Sequence, residues 1–399
     1  MRPFKGNFSS SLWGGFVSQA VHAPYTDRQF MRIALALAAR GLGCVAPEPA
    51  AGCVIVQHTH TLAPTIVGRG WAHSSSPHQA ENDALSRAGK SAQGACIYLT
   101  NEPSDCTALI QAGLSRVVIG LLHPDVSCSG RSVEALRKAG LNVVVESMVD
   151  EARRLNEGFV RVHTQGRPLV TLKLATSLDG RSATHMGDNQ WLTGQGAHDR
   201  HHLIRAEADA IMIGSATAIV DDPALTCRLA GLKGRSPIRI VADGRLRLPM
   251  TSALVRSAQE TPLWILTLPG VDPDRAKAFA ACGVTLIEVP MNEQRVMDMS
   301  VALQAIAARG VTRLLVEGGA RLVASLMREG LVNRIEWFQA AKIFGGEGYP
   351  AIAGLGVSRV EDSVELSLRD IISLDEDSLA RFDVTSACVN TVLEGTGNV

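Results

Sequence analysis

The sequence lacks an excess of either charge, a paired-cysteine motif, a membrane-length apolar run and a G-x-G-x-x-G fingerprint. Lys plus Arg equals Asp plus Glu at 39 each, so no bulk field draws in nucleic acid or anionic lipid, and no basic stripe stands out locally. The eight cysteines are scattered without a C-x-x-C pair, which argues for reduced thiols packed as small hydrophobes in a cytoplasmic protein. No apolar run is long enough to span a bilayer. The first 25 residues carry only Arg2 and Lys5 before a Gly/Ser-broken apolar stretch, and they read as an extension rather than a signal peptide. What remains is an ordinary globular composition, 46% hydrophobic and 20% charged over 399 residues, for which two domains are the natural expectation.

Residues 26–148 make the first of these. Thr26 or Asp27 is placed to cap a helix in which Phe30, Met31, Ala34, Leu35 and Leu37 recur at helical spacing. Apolar strands follow at Gly52–Gln57 and Thr65–Gly70, then a helix near Gln79–Ala88. Strand and helix alternate from there: Ala95–Thr100, a helix to Gly113, Arg116–Leu121, Val133–Ala139 and Asn142–Ser147. That order predicts an α/β sandwich with one shared sheet.

The runs PEPAAGCVIV, SPHQAENDAL and YLTNEPS resemble the deaminase domain of the RibD family, bifunctional proteins of riboflavin biosynthesis. The resemblance implies a zinc-dependent cytidine-deaminase-like domain, whose chemistry uses one His and two Cys on zinc and a Glu that shuttles protons. The sequence departs from that pattern at every metal position. Gln79 stands where the His belongs, and His78, one residue early, points about 100° away on a helix. Ser104 follows Pro103 in place of the first Cys. The loop to the second Cys is shortened, with Asp105 beside Cys106. Glu81 remains, but a proton shuttle without zinc hydroxide has nothing to activate. Two readings stay open. In one, the domain no longer deaminates and serves packing or assembly. In the other, His78, Cys106 and His73 form a rearranged zinc site. The first carries more weight, because zinc needs three well-aimed ligands. Cys53, after Gly52, reads as a buried strand thiol.

Residues 149–166 predict an amphipathic connector helix with Ala152, Leu155 and Phe159 on one side and Asp150, Glu151, Arg153 and Arg154 as its solvated face. The second domain occupies residues 167–399. It opens on Arg167–Ala175, a dense apolar run suited to a strand covered on both faces. Lys173 interrupts that run. A lysine in a buried strand is costly unless paired, so Lys173 is either half of a structural ion pair or a functional group, and the second is favoured. Trp191, in the loop Gly187–Gly194, either plugs the core or flanks a cofactor. A helix carries Arg205 near its end, the strand Ala210–Gly214 leads into a short helix from Ser215, and Asp221–Arg228 is a proline turn. Strands follow at Pro237–Asp243, Leu263–Leu268, Val284–Val289, Arg313–Gly319, within Arg334–Gly346 and within Leu379–Ala387, with helices near Asp272–Ala281, Ser300–Ala308 and Ala320–Glu329. At Glu317-Gly318-Gly319 a strand ends, the backbone can turn tightly and a helix begins. Free N–H groups there suit a pyrophosphate, although this is a weak motif by itself.

KLATSLDGR, GDNQWLTG, LIRAEADAIMIGSATAIVDDPALTCR and LLVEGGARL resemble, in order, the reductase domain of the same RibD family. The resemblance implies a dihydrofolate-reductase-like α/β fold that binds NADPH and reduces the ribose of 5-amino-6-(5-phosphoribosylamino)uracil to the ribityl chain. It also implies site roles. Arg205 and Arg228 would engage the substrate, at least one through its phosphate. Asn189, where the family usually has Ser, and Leu225 would contact substrate, and Glu317 would meet its polar ring. Ala175, Trp191, Thr217, Asp221 and Gly244 fall at NADPH-contact positions, and Gly318, Gly319 and Ala320 would cradle its diphosphate. Lys173, Asp221 and Glu317 are the unranked candidates to serve the nitrogen that must gain a proton. Three functions follow: a reductase with a retired deaminase domain and no zinc, a fully bifunctional enzyme, or a non-catalytic assembly or regulatory relative. The intact polar residues of the second domain argue against the third. The partners implied are a phosphorylated pyrimidine and further copies of the chain.

Overall fold

The structure, a computed structural model, describes residues 24–58, 63–73, 79–189 and 192–386. The expectations for the N-terminal extension, His78 and Trp191 fall outside these residues.

The first domain runs α1 (Pro24–Ala38), β1 (Gly52–Gln57), β2 (Thr65–Trp71), α2 (Gln79–Ala88), β3 (Cys96–Asn101), α3 (Thr107–Gln111), β4 (Arg116–Leu121), α4 (Arg131–Lys138) and β5 (Asn142–Val144). These strands form one sheet in the order β2-β1-β3-β4-β5. The hairpin strands pair antiparallel and β3, β4 and β5 run parallel. Asp27 does not cap α1, which is already helical from Pro24. It lies in the first turn, accepts from the Tyr98 hydroxyl at 2.9 Å and takes a forked pair from Arg116 at 2.7 Å. A short acid before an apolar helix looks like a cap, but a half-buried Arg on β4 takes it instead.

Close packing of α1 on β1 depends on Gly52. A Cβ there would fall 2.0 Å from the Ala34 carbonyl oxygen and 2.7 Å from the Ala38 nitrogen, both backbone. Gly52→Ala is therefore expected to lower stability by about 1–3 kcal/mol, read as an earlier midpoint in chemical denaturation.

The connector is two helices, α5 (Val149–Leu155) and α6 (Glu157–Gln165), rather than one. The break is at Asn156, which is 4% exposed. Its side chain accepts from the Ala50 N–H at 2.8 Å and donates to the Ala50 carbonyl and to Asn101. A buried amide needs these partners, and the helix gives way to supply them. Arg154, expected on the solvated face, pairs with Asp383 at 2.7 Å.

The second domain contains β6 (Leu169–Ser177), β7 (Arg181–Ala183), α7 (Gln195–Ala206), β8 (Ala210–Gly214), α8 (Ser215–Asp221), β9 (Ile238–Ala242), α9 (Ala253–Arg256), β10 (Leu263–Thr267), α10 (Pro273–Ala281), β11 (Thr285–Glu288), α11 (Met299–Ala307), β12 (Arg313–Glu317), α12 (Ala320–Arg328), β13 (Arg334–Ala340), β14 (Tyr349–Pro350), β15 (Leu366–Leu374) and β16 (Asp377–Val384). Nine strands form the main sheet in the order β11-β10-β9-β8-β12-β6-β13-β16-β15. From β11 to β13 all pairings are parallel, and β16 and β15 close the edge antiparallel. Apolar layers cover both faces. Leu172, Leu174, Val316 and Met212 pack with α11 and α12 on one side, while Ile211, Leu315 and Phe338 pack with α7 on the other. This is why the central strands read as nearly continuous apolar runs. The strand β15 escapes that signal because none of its residues is buried at this exposed edge.

Candidate active site

Three central strands place charged residues side by side. In the parallel register Glu317 on β12 lies opposite Lys173 on β6, and Lys173 lies opposite Glu336 on β13. Paired residues point to the same face, so Lys173 stands between two glutamates on the face covered by α7. Each glutamate is already engaged. Arg205 forks onto Glu317 with Nε 2.8 Å from Oε1 and Nη2 2.6 Å from Oε2. Arg381 places its Nε 3.0 Å from both oxygens of Glu336. One turn before Arg205, His201 Nε2 lies 2.5 Å from Glu317 Oε1.

Lys173 makes no ion pair within 4 Å among the described residues, and its ammonium sits 5.6 Å from the Phe338 ring centroid. The strand lysine is thus not half of a structural salt bridge. Burial lowers its pKa, partly offset by Glu317 and reinforced by Arg205. Glu317 is 8% exposed. Burial opposes its charge, but Arg205 and His201 outweigh that and hold its carboxyl well below the usual range. His201 is brought down to about 3 by burial, against the pull of Glu317. It is therefore neutral at physiological pH and donates its Nε2 proton to the carboxylate.

His201 carried no signal that singled it out in the sequence. Its spacing from Arg205, one helical turn, was the available clue. His202 stacks on it at 5.8 Å and lies 3.4 Å from both the backbone N and Nε of Arg228. A neutral ring has one acceptor nitrogen and satisfies only one of these. Arg228 itself is exposed, so its guanidinium reaches solvent, whereas Arg205 is 8% exposed and spent on Glu317.

The remaining residues distribute along the carboxyl ends of the parallel strands, where open α/β sheets bind ligands. Ala175 is two residues beyond Lys173 on the same face. Gly318 (φ 77°) and Gly319 (φ 85°) turn the chain from β12 into α12, which begins at Ala320. A Cβ on Gly319 would lie 3.5 Å from Thr217 Oγ1 and 3.6 Å from the Gly214 nitrogen, so the starts of α8 and α12 stand together. Asp221 ends α8 on its exposed side, and Leu225 (φ 54°) turns its side chain into the core. Gly244 follows β9 and bonds Leu268 through its carbonyl. Asn189 is exposed in the loop before α7. A cavity lined by Thr171, Arg313, Arg334, Glu336 and Arg381 opens toward the other, amino-terminal end of β6 and β12. Arg334 pairs with Glu157 and Arg381 with Glu336, while Arg313 bonds the Glu207 and Leu155 carbonyls, which makes it a polar joint with the connector rather than a second site.

In the first domain Glu81 is buried on α2, and Gln79 accepts from the His73 N–H at 2.8 Å. Cys106 donates to the Ser132 carbonyl at 3.6 Å, and its thiol is pushed up to about 11 by burial and by Asp105 and Glu102. Cys53 is fully buried, with its pKa raised by burial and Glu81. Among the described residues no three His, Cys, Asp or Glu side chains gather as a metal requires. No helix among them is long and apolar enough to cross a membrane.

Comparison with known proteins places both halves. Residues 168–380 match the RibD C-terminal domain, and residues 24–121 match the cytidine and deoxycytidylate deaminase zinc-binding region. The riboflavin biosynthesis protein RibD of Aquifex aeolicus is 35% identical over 89% of this chain and 98% of its own, and that of Escherichia coli is 32% identical over 88% and 97%. RibD of Acinetobacter baumannii superposes with a TM-score of 0.81 at 29% identity, covering 91% of this chain and all of that one. A Thermotoga maritima protein described as a diaminohydroxyphosphoribosylaminopyrimidine deaminase/5-amino-6-(5-phosphoribosylamino)uracil reductase gives 0.77 at 27%, covering 91% and 100%. With a deaminase-like domain, a dihydrofolate-reductase-like reductase domain and relatives matched nearly end to end, this chain belongs to the RibD family of riboflavin biosynthesis proteins.

Proposed function

We propose that the chain is an NADPH-dependent reductase that converts the ribose of 5-amino-6-(5-phosphoribosylamino)uracil to the ribitylamino chain, with Lys173 as its proton donor. The observation that carries this reading is Lys173 itself, an amine with lowered pKa and no ion pair among the described residues, between two glutamates held by arginines. NADPH supplies hydride when bound. The left-handed Gly318 and Gly319, open beside Thr217 and Gly214, fit a diphosphate at the start of α12. Ala175, Trp191, Asp221, Gly244 and Ala320 complete that contact set by resemblance. Arg228 and Asn189, both exposed, are placed to take the substrate, Arg228 by its phosphate. Arg205 holds Glu317, whose fixed negative charge faces the cationic side of the opened ribosylamine. The Lys173 ammonium gives its proton to the neutral imine nitrogen of the opened ribosylamine, and the cation so formed becomes the amine once the anomeric carbon is reduced; Glu317, locked as a carboxylate, has no proton to give. Lys173 therefore ranks above Glu317 and the exposed Asp221. We place the enzyme in the cytoplasm, as a homo-oligomer.

We further propose that the first domain holds no zinc and does not deaminate. The donors support this. The Gln79 side-chain oxygen is already an acceptor for backbone, and Cys106 is a protonated thiol among carboxylates, the reverse of what a zinc thiolate needs. The match to the deaminase zinc-binding region and the retained Glu81 favour the alternative, a bifunctional enzyme. Two assays on purified protein separate the readings. NADPH oxidation is expected with the deaminated substrate, with zinc far below one per chain and no ammonia from the diaminopyrimidine precursor. Stoichiometric zinc with ammonia release would establish the bifunctional enzyme, and no NADPH oxidation would leave a non-catalytic relative.

A further inference from the structure

Glu317 and Lys173 are register neighbours of opposite charge on a half-buried sheet face, and such a pair ordinarily closes into a salt bridge. Here it does not. The Glu317 carboxylate receives three donors, two from Arg205 and one from His201, all from one face of α7. The second glutamate beside Lys173, Glu336, is taken from β16 by Arg381. Arg381 is fixed by its own strand register opposite Glu336. On the other side, the donor that distinguishes an open from a closed arrangement is His201, because its bond occupies Oε1 in addition to the Arg205 fork.

We propose that His201 is a positioning residue, which by saturating Glu317 keeps the Lys173 ammonium from closing onto that carboxylate. The inference rests on the reading of Lys173 as proton donor, and it adds a residue that acts through Glu317. The groups facing Lys173 are Glu317 from β12, Glu336 from β13 with Arg381 behind it on β16, and Arg205 and His201 from α7. Only His201 among these is neutral, so its removal changes no formal charge. It leaves Oε1 with the Arg205 Nε bond alone, and Lys173, its register neighbour on β6, is a donor able to take the vacated place. A lysine closed onto Glu317 is a weaker acid and is turned away from the substrate.

The test measures Lys173 directly, without substrate. Acetylation of Lys173 by acetic anhydride is followed against pH by peptide mass spectrometry in the wild type, H201F and H201Q. Phe keeps the ring without a donor, and Gln keeps a donor without the ring. H201F is expected to raise the apparent pKa of Lys173 by about one unit, with H201Q close to wild type. His201→Leu, smaller and also donorless, replaces H201F if that variant does not fold. Coincident curves for wild type and the donorless variant would overturn the proposal, as would an H201Q shift equal to that of H201F. The reading beneath it is scored separately. With substrate present, the basic limb of kcat/KM should move upward with the labelling pKa. A labelling shift with an unmoved limb would keep His201 as the residue that frees Lys173 and remove Lys173 as the proton donor.

Discussion

Lys173→Met is expected to lower turnover by at least about a hundredfold, the scale of a lost general acid, with NADPH affinity changed by no more than about twofold. Met matches the length of the side chain and fills the space beneath Phe338, so the packing of that face survives. Removing a buried cation would normally leave its partner unpaired. Here neither glutamate depends on Lys173, since Arg205 holds Glu317 and Arg381 holds Glu336. The variant should therefore fold and bind cofactor normally while failing in the proton transfer. In the wild type the sign of the pH dependence follows from the same group. Lys173 is protonated below its lowered pKa, so activity falls as pH rises through that value, and the fall begins below the range of an ordinary lysine. K173M should lose this limb. Normal turnover in K173M, read by NADPH oxidation, would remove Lys173 from the mechanism.

Arg205→Ala is expected to cost about 3–5 kcal/mol of unfolding free energy, because it leaves Glu317 buried and without its fork. Turnover should fall with it, since Lys173 is then the cation left to close on Glu317. A substrate-phosphate role alone would act differently, raising KM with little loss of stability, because an exposed phosphate ligand has no buried partner to abandon. The double variant R205M/E317M separates structure from chemistry. Replacing both members of a buried pair with apolar residues of similar length is often close to neutral for stability, so denaturation should return toward wild type while turnover stays low. Recovery of turnover in the double variant would show that Glu317 is scaffolding only.

Much of the second domain was legible because buried parallel strands leave dense apolar runs. The strand Ala210–Gly214 stands where its sequence places it, and β12 ends at Glu317 as the two glycines require. Lys173 was legible for the same reason, as the one charge within the run of β6. The partners that decide its role were not. Arg205 and Glu317 are 112 residues apart and Glu336 and Arg381 are 45 apart, and only the strand register brings them together. His201 was hidden inside a polar helix segment whose inward face cannot be read without the sheet beneath it. The break at Asn156 and the pairing of Asp27 with Arg116 failed for a related reason, since each local pattern was overruled by a buried polar partner from elsewhere in the chain. In the first domain the burial of the Cys106 thiol beside Asp105 and Glu102 could be read only from the structure.

The most direct test follows hydride. The purified chain is incubated with 5-amino-6-(5-phosphoribosylamino)uracil and NADPH carrying deuterium at the transferring position of its nicotinamide, and the product is read by mass spectrometry. One deuterium per product, located at the former anomeric carbon of a ribityl chain, is expected in the wild type and is nearly lost in K173M. A wild type that forms no ribityl product, or forms it without deuterium at that carbon, would contradict the assignment of this site as the reductase.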